Sequence, residues 1–174
     1  MIKNLDKNII FVGMSLSGKT TLGYEISKKL GYNFIDTDSL IEKREKDSIK
    51  NIFTLKGEQY FRQCEKEILK DLRKTKKTLI STGGGLPIFN NNMNTLKDMG
   101  IVIFLKVELE VLIERGKSVI DRPLLKNDYE KKLKSMYEKR MEIYNKAHII
   151  IELKEYKEEN IDIIINSIKR NLEI

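Results

Sequence analysis

The sequence predicts an α/β protein, a three-layer α/β/α sandwich in which helices cover both faces of a parallel sheet. Short apolar runs alternate with longer stretches of helical periodicity along the chain, the pattern of parallel strands joined by helical crossovers. The unusual loops, rich in glycine or aspartate, follow the ends of apolar runs, and ligands of such sheets bind beyond the carboxyl ends of the strands. A length of 174 residues with no composition shift, repeat or Pro/Ser-rich linker fits a single domain over residues 1–174.

The elements follow in order. Asn8–Val12 is a short apolar run stopped by Gly13, a buried-strand signal. Lys19–Leu30 sets Leu22, Ile26 and Leu30 four apart on one helical face, with Gly31 as the stop. Residues 33–35 form a second strand. Residues 39–44 and 57–75 are helical, and in the latter Tyr60, Phe61, Cys64, Ile68 and Leu72 recur at helical spacing. Thr78–Ser81 is a third strand, broken by the glycines at 83–85. Residues 101–105 make a fourth, followed by a helix near 108–115. A connection with glycine, lysines and proline, 116–127, leads to a helix at about 129–145. Residues 148–153 form a last strand and 158–172 a closing amphipathic helix.

Composition narrows the function classes. The single cysteine, Cys64, cannot make an intramolecular disulfide and suits a reducing cytosol. The N-terminal MIKNLDKNII has no signal-peptide pattern, and the run 101–105 is far too short to cross a bilayer. A cytoplasmic protein without membrane partners is expected. The net charge of +7 comes from lysines interleaved with glutamates, which marks solvated helix faces better than a nucleic-acid surface. No exposed apolar stripe stands out, so a monomer is expected.

The strongest motif is GMSLSGKT at 13–20, a full match to G-x-x-x-x-G-K-[ST]. Its glycines let backbone N–H groups curl round a β-phosphate, and the helix beginning near Lys19 points its positive end there. Lys19 would bridge the β- and γ-phosphates, and the Thr20 hydroxyl is suited to Mg²⁺. Gly13, Ser15, Leu16, Ser17, Gly18, Lys19, Thr20 and Thr21 are the candidate nucleotide contacts.

Further candidates lie on neighbouring loops. Asp36 and Asp38 flank Thr37 after the second strand; in an extended segment their carboxylates would share one side. One of them would equally well simply cap the helix at Ser39. The glycines at 83–85 would leave bare N–H groups for an anion. Arg62 sits beside Phe61 on a helix otherwise lined by apolar residues. Arg122 precedes Pro123, one of only two prolines, and is therefore held away from helical geometry. Arg140 lies three positions after Tyr137 and four before Tyr144.

Taken in order, GMSLSGKT, FIDTD, GEQYFRQCE, STGGG, DRPLL and EKRMEIY resemble the shikimate kinases, from about Ile9 to His148. The resemblance implies a nucleoside-monophosphate-kinase-like, P-loop fold with a five-stranded parallel sheet in the order 2-3-1-4-5. It implies transfer of the ATP γ-phosphate to the 3-hydroxyl of shikimate, a step of chorismate and aromatic amino-acid biosynthesis. Asp38 would bind the hydroxyls and orient or deprotonate the attacking one. Arg62, Arg140 and the backbone of Gly83, Gly84 and Gly85 would hold the carboxylate, within an acceptor region of about 36–65. Thr20 and Asp36 would hold Mg²⁺, directly or through water. Lys19 and Arg122 would neutralise charge on the transferred phosphoryl, and Arg115 would lie against adenine.

Paired arginines suit a small carboxylate acceptor. His148, the only histidine, lies in an apolar strand and reads as structural, as does Cys64 in its helix. The chain also departs from the family. Leu16 stands where many members carry glycine, the connection around Arg122 is short, and the stretch after His148 lacks a proline-containing adenine loop. Residues 116–127 read as a mobile lid. Two other readings stay open, a kinase of this fold acting on gluconate or a nucleoside monophosphate, and a nucleotide-dependent regulatory protein associated with RNA.

Overall fold

A computed structural model describes residues 6–118, 123–154 and 159–172. Its five strands are β1 (Asn8–Val12), β2 (Asn33–Asp36), β3 (Thr78–Ser81), β4 (Gly100–Val107) and β5 (Ile149–Leu153). All pair in parallel, in the order β2-β3-β1-β4-β5. The helices are α1 (Lys19–Leu30), α2 (Thr37–Glu45), α3 (Ile49–Leu72), α4 (Asn92–Met99), α5 (Leu109–Lys117), α6 (Pro123–Tyr144) and α7 (Glu159–Leu172).

Every residue of β1 and of β3 is buried, as expected for central strands covered on both faces. The side chain of Asn8 joins these strands at their entry: Nδ2 donates to the Thr75 carbonyl at 2.9 Å and Oδ1 accepts from the Thr78 amide at 3.1 Å. Ile9, Ile10, Phe11, Ile80, Val102 and Phe104 form the middle of the core, at 0–1% exposure. The sheet order places β1 at the centre, so the loop leaving β1 lies between the exits of β3 and β4. That geometry is what gathers the predicted loops.

Three elements differ from the sequence reading. Helix α3 begins at Ile49, where the Ser48 hydroxyl accepts from the Asn51 amide at 3.2 Å. The predicted start, Gly57, is instead a kink with φ 82° and ψ 168°, a conformation open to glycine. Helix α4 was not expected, because its asparagine-rich start reads as loop; Met93 and Leu96 bury one face and hold it.

Helix α6 starts at Pro123 rather than near residue 129. Proline is well placed in a first helical turn, where its missing N–H has no partner to lose and its φ is preset. The predicted lid over 116–127 takes in parts of two helices. Residues 116 and 117 end α5, residues 123–127 open α6, and residues 119–122, Arg122 among them, lie outside the described residues.

Candidate active site

At the end of β1 the chain turns through Gly13 (φ 147°) and Gly18 (φ 90°) into α1. Lys19 is buried at 7% exposure, and its Nζ donates to the Met14 carbonyl at 2.7 Å and the Ser17 hydroxyl at 3.4 Å. Burial pushes its pKa down to about 8, against the opposing pull of Asp38 and Asp36. The departure at Leu16 falls on the backbone, since this residue holds φ 66°. Left-handed geometry costs a side-chain-bearing residue roughly 1–2 kcal/mol. The Leu16 carbonyl accepts from Arg115 Nη1 at 2.7 Å, which brings Arg115 to the phosphate loop.

The Thr20 hydroxyl donates to Asp36 Oδ2 at 2.7 Å, while Oδ1 of the same carboxylate accepts from the Ser39 amide at 3.1 Å. Asp36 therefore caps α2 and touches the phosphate loop at once. Asp38 is not on an extended segment, as the sequence reading had it; it sits in the first turn of α2. Both carboxylates still face one cavity of about 300 Å³. Ser15, Lys19, Thr20, Asp36, Asp38 and Gly84 are among the residues that line it. Burial, reinforced by Asp36, raises the pKa of Asp38, while Lys19 and Arg62 oppose the rise.

The glycine turn after β3 is packed on three charged side chains. A Cβ on Gly83 would run into the Asp38 carboxylate, one on Gly84 would lie 3.1 Å from Arg140 Nη1, and one on Gly85 would lie 2.7 Å from Arg62 Nη1. The expectation of three bare N–H groups needs correcting: the Gly83 amide donates to the buried Thr37 hydroxyl at 2.9 Å. Thr37 is buried beneath the turn, so it takes that donor for itself. Among the described residues no group accepts from the Gly84 or Gly85 amide.

Arg62 lies 3.8 Å from the Phe89 ring centroid. Its Nη2 donates to Glu58 at 2.8 Å and its Nη1 to Glu65 at 2.9 Å. Glu65 is 1% exposed, and burial pushes its pKa up to about 7 in spite of Arg62. The hydroxyl of Tyr144 donates to the Gly84 carbonyl, and burial pushes its pKa up while the nearby Arg140 charge opposes the rise. The sequence reading gave Thr37, Glu65, Phe89 and Tyr144 no function. Only spacing pointed to two of them, Glu65 three positions after Arg62 and Tyr144 four after Arg140.

Other candidates fall where a structural role puts them. His148 Nδ1 accepts from the Val102 amide at 3.0 Å, and Cys64 is buried, its thiol pKa raised by that burial. A second cavity, about 360 Å³ and lined by Lys7, Lys97 and His148, opens at the other ends of the strands and gathers none of the predicted site residues. Among the described residues no three His, Cys, Asp or Glu side chains cluster as metal ligands, and no helix is long and apolar enough to cross a membrane.

Comparison with known proteins fits this geometry. The family model described as Shikimate kinase matches residues 16–170. A shikimate kinase of Clostridium botulinum (strain Okra / Type B1) is 53% identical over 160 residues, covering 91% of this chain and 94% of that relative. The solved shikimate kinase of Acinetobacter baumannii in complex with shikimate superposes with a TM-score of 0.87 at 33% identity, covering 95% of this chain and 94% of the other. That of Bacteroides thetaiotaomicron gives 0.86 at 30% identity, covering 97% and 99%. The chain belongs to the shikimate kinase family.

Proposed function

We propose that this protein transfers the γ-phosphate of ATP to the 3-hydroxyl of shikimate, giving shikimate 3-phosphate and ADP, as a cytoplasmic monomer. One observation carries the reading. Lys19, Thr20, Asp36 and Asp38 line a single cavity, and Arg62 and Arg140 approach the glycine turn beside it. A phosphate donor and a hydroxyl acid thus have adjoining places. Every assigned residue comes from one chain, so no second copy is needed.

The roles follow from the chemistry of each group. Arg62 and Arg140 would hold the carboxylate by charge-assisted hydrogen bonds, with the Gly84 and Gly85 amides beside them. Arg62 is prepared for this by stacking on Phe89 and by its bonds to Glu58 and Glu65, which limit its rotamers. The ring hydroxyls would then reach Asp38. As the hydroxyl oxygen bonds to the γ-phosphorus, the bond to the β-phosphate oxygen breaks, ADP leaves, and the hydroxyl proton passes to Asp38. The raised pKa of Asp38 makes it a better proton acceptor than an ordinary carboxylate.

Lys19 would leave the Met14 carbonyl for the phosphates, where an ammonium offsets charge that moves during transfer. The adjacent oxygens of Thr20 and Asp36 fit Mg²⁺, which takes one or two protein ligands and completes its shell with water and phosphate. When bound, that ion supplies charge neutralisation on the phosphates. Arg122 is assigned to the transferred phosphoryl by family resemblance alone.

Three measurements test this. In a coupled assay, ADP release should depend on shikimate, with gluconate and CMP giving only background; release with gluconate or CMP and none with shikimate would assign another acceptor. Asp38→Asn should lower turnover by about 10²–10⁴-fold, the range for losing a general base, without loss of ATP binding. Asp36→Asn should show a defect partly relieved by more Mg²⁺, and the opposite pattern would exchange the two roles.

The third concerns pH. The free protein holds the Lys19 pKa at about 8, below its ordinary 10.5, and bound phosphates favour the ammonium. Binding near that pH therefore takes up a proton, and nucleotide affinity falls as pH rises above it, by up to about tenfold per unit. Calorimetry in buffers of different ionisation enthalpy reads the uptake; flat affinity from pH 7 to about 9.5 would contradict a lysine poised in this way.

A further inference from the structure

The phosphate loop of this chain contains a conformational problem and, 99 positions along the sequence, a contact that answers it. Among the described residues, Leu16 is one of five side-chain-bearing residues with positive φ, and the only one of them in the loop. Its side chain is exposed at 41%, so burial of the leucine does not hold the backbone there. What does touch this residue is the Arg115 guanidinium, 2.7 Å from its carbonyl oxygen.

Arg115 is itself well seated. It lies in the last turn of α5, and its carbonyl accepts from the Ser118 hydroxyl at 2.6 Å. Next to it, Gly116 is buried with no room for a side chain, because the Tyr129 ring of α6 occupies that space. A rigid helix end thus presents a cation to one carbonyl of the loop. A bond from a charged donor to a backbone carbonyl is among the stronger hydrogen bonds, and strain in a binding loop persists only where its surroundings hold it.

We infer that Arg115 is a positioning residue for the nucleotide: by holding the Leu16 carbonyl, it keeps the left-handed turn formed and the phosphate cradle ready before ATP arrives. The inference rests on the reading of 13–20 as a nucleotide loop, and adds a coupling between a helix outside that motif and its one unfavourable residue. Glycine at position 16 would remove the need for the contact, since it adopts φ near 66° freely. The two positions are therefore linked, and linked positions respond non-additively to substitution.

The test is a double-mutant cycle on the full chain with Arg115→Ala and Leu16→Gly, alone and together. Binding of inorganic tripolyphosphate and of ADP is measured by calorimetry, and hydrogen exchange of residues 14–18 is followed without ligand. With Leu16 present, Arg115→Ala should weaken both ligands by about tenfold, the scale of a lost charge-assisted hydrogen bond. It should raise KM for ATP while kcat and KM for shikimate change by less than about threefold. In the Leu16→Gly background, the same substitution should cost about twofold or less in affinity. Exchange of 14–18 should quicken when Arg115→Ala is made alone, and should not respond to it once Leu16→Gly is in place.

Four outcomes overturn the inference. Weakening of ADP but not of tripolyphosphate would put Arg115 on the base. An equal loss in both backgrounds would mean direct contact with the ligand. Unchanged exchange in Arg115→Ala would show that the loop does not need the contact. If the unaltered protein bound neither ligand, the nucleotide reading would itself fall.

Discussion

Gly83, Gly84 and Gly85 are held to hydrogen by three different neighbours, the Asp38 carboxylate, Arg140 and Arg62. A methyl group at Gly83 or Gly85 would push a charged side chain away, and one at Gly84 would crowd Arg140 and Ser15. The constraint works in both directions. A turn without side chains lets two guanidinium groups and a carboxylate approach its backbone, and their approach fixes how far each extends. Thr37, buried under the turn, ties Gly83 to the start of α2, the helix that carries Asp38. From the other side, the Tyr144 hydroxyl ties Gly84 to a fully buried ring on α6, the helix that also carries Arg140. This part of the cleft is thus assembled from α2, α3, the turn and α6, with side-chain hydrogen bonds joining them.

The charges are arranged in opposition. Lys19 is buried, which disfavours its charge, while Asp36 and Asp38 favour it. Asp38 is half-buried and lies near Asp36; desolvation and that neighbour raise its pKa, while Lys19 and Arg62 lower it. Each group holds the other short of full discharge. A transferred phosphoryl group between them would add negative charge beside Lys19 and a proton to be accepted beside Asp38.

Much of this was legible in the sequence, and for physical reasons. A buried parallel strand must be apolar throughout, so β1 and its exit at Gly13 were visible from residue type alone. The phosphate loop was visible because its spacing permits little else. Less legible was whatever depends on tertiary contact. The Asp36-Thr37-Asp38 segment looked extended because nothing local shows that Asp36 caps α2 with one oxygen and binds Thr20 with the other. The start of α6 was hidden because a proline reads as punctuation when it is in fact a first helical residue. Thr37 and Tyr144 are ordinary residues in sequence, and only the fold shows that they hold the glycine turn. Leu16 stood out as a departure, but its consequence needed the backbone angle.

The central claim is that the two halves of one cavity hold a nucleotide and a hydroxyl acid in a fixed orientation. A crystal structure with ADP and shikimate bound tests it most directly. The account predicts the shikimate carboxylate between the guanidinium groups of Arg62 and Arg140, within hydrogen-bond reach of the Gly84 or Gly85 amide, with the 3-hydroxyl against Asp38 and facing the phosphates at Lys19. Shikimate bound the other way round, with its carboxylate toward Lys19 and its hydroxyls at Arg62, would contradict it.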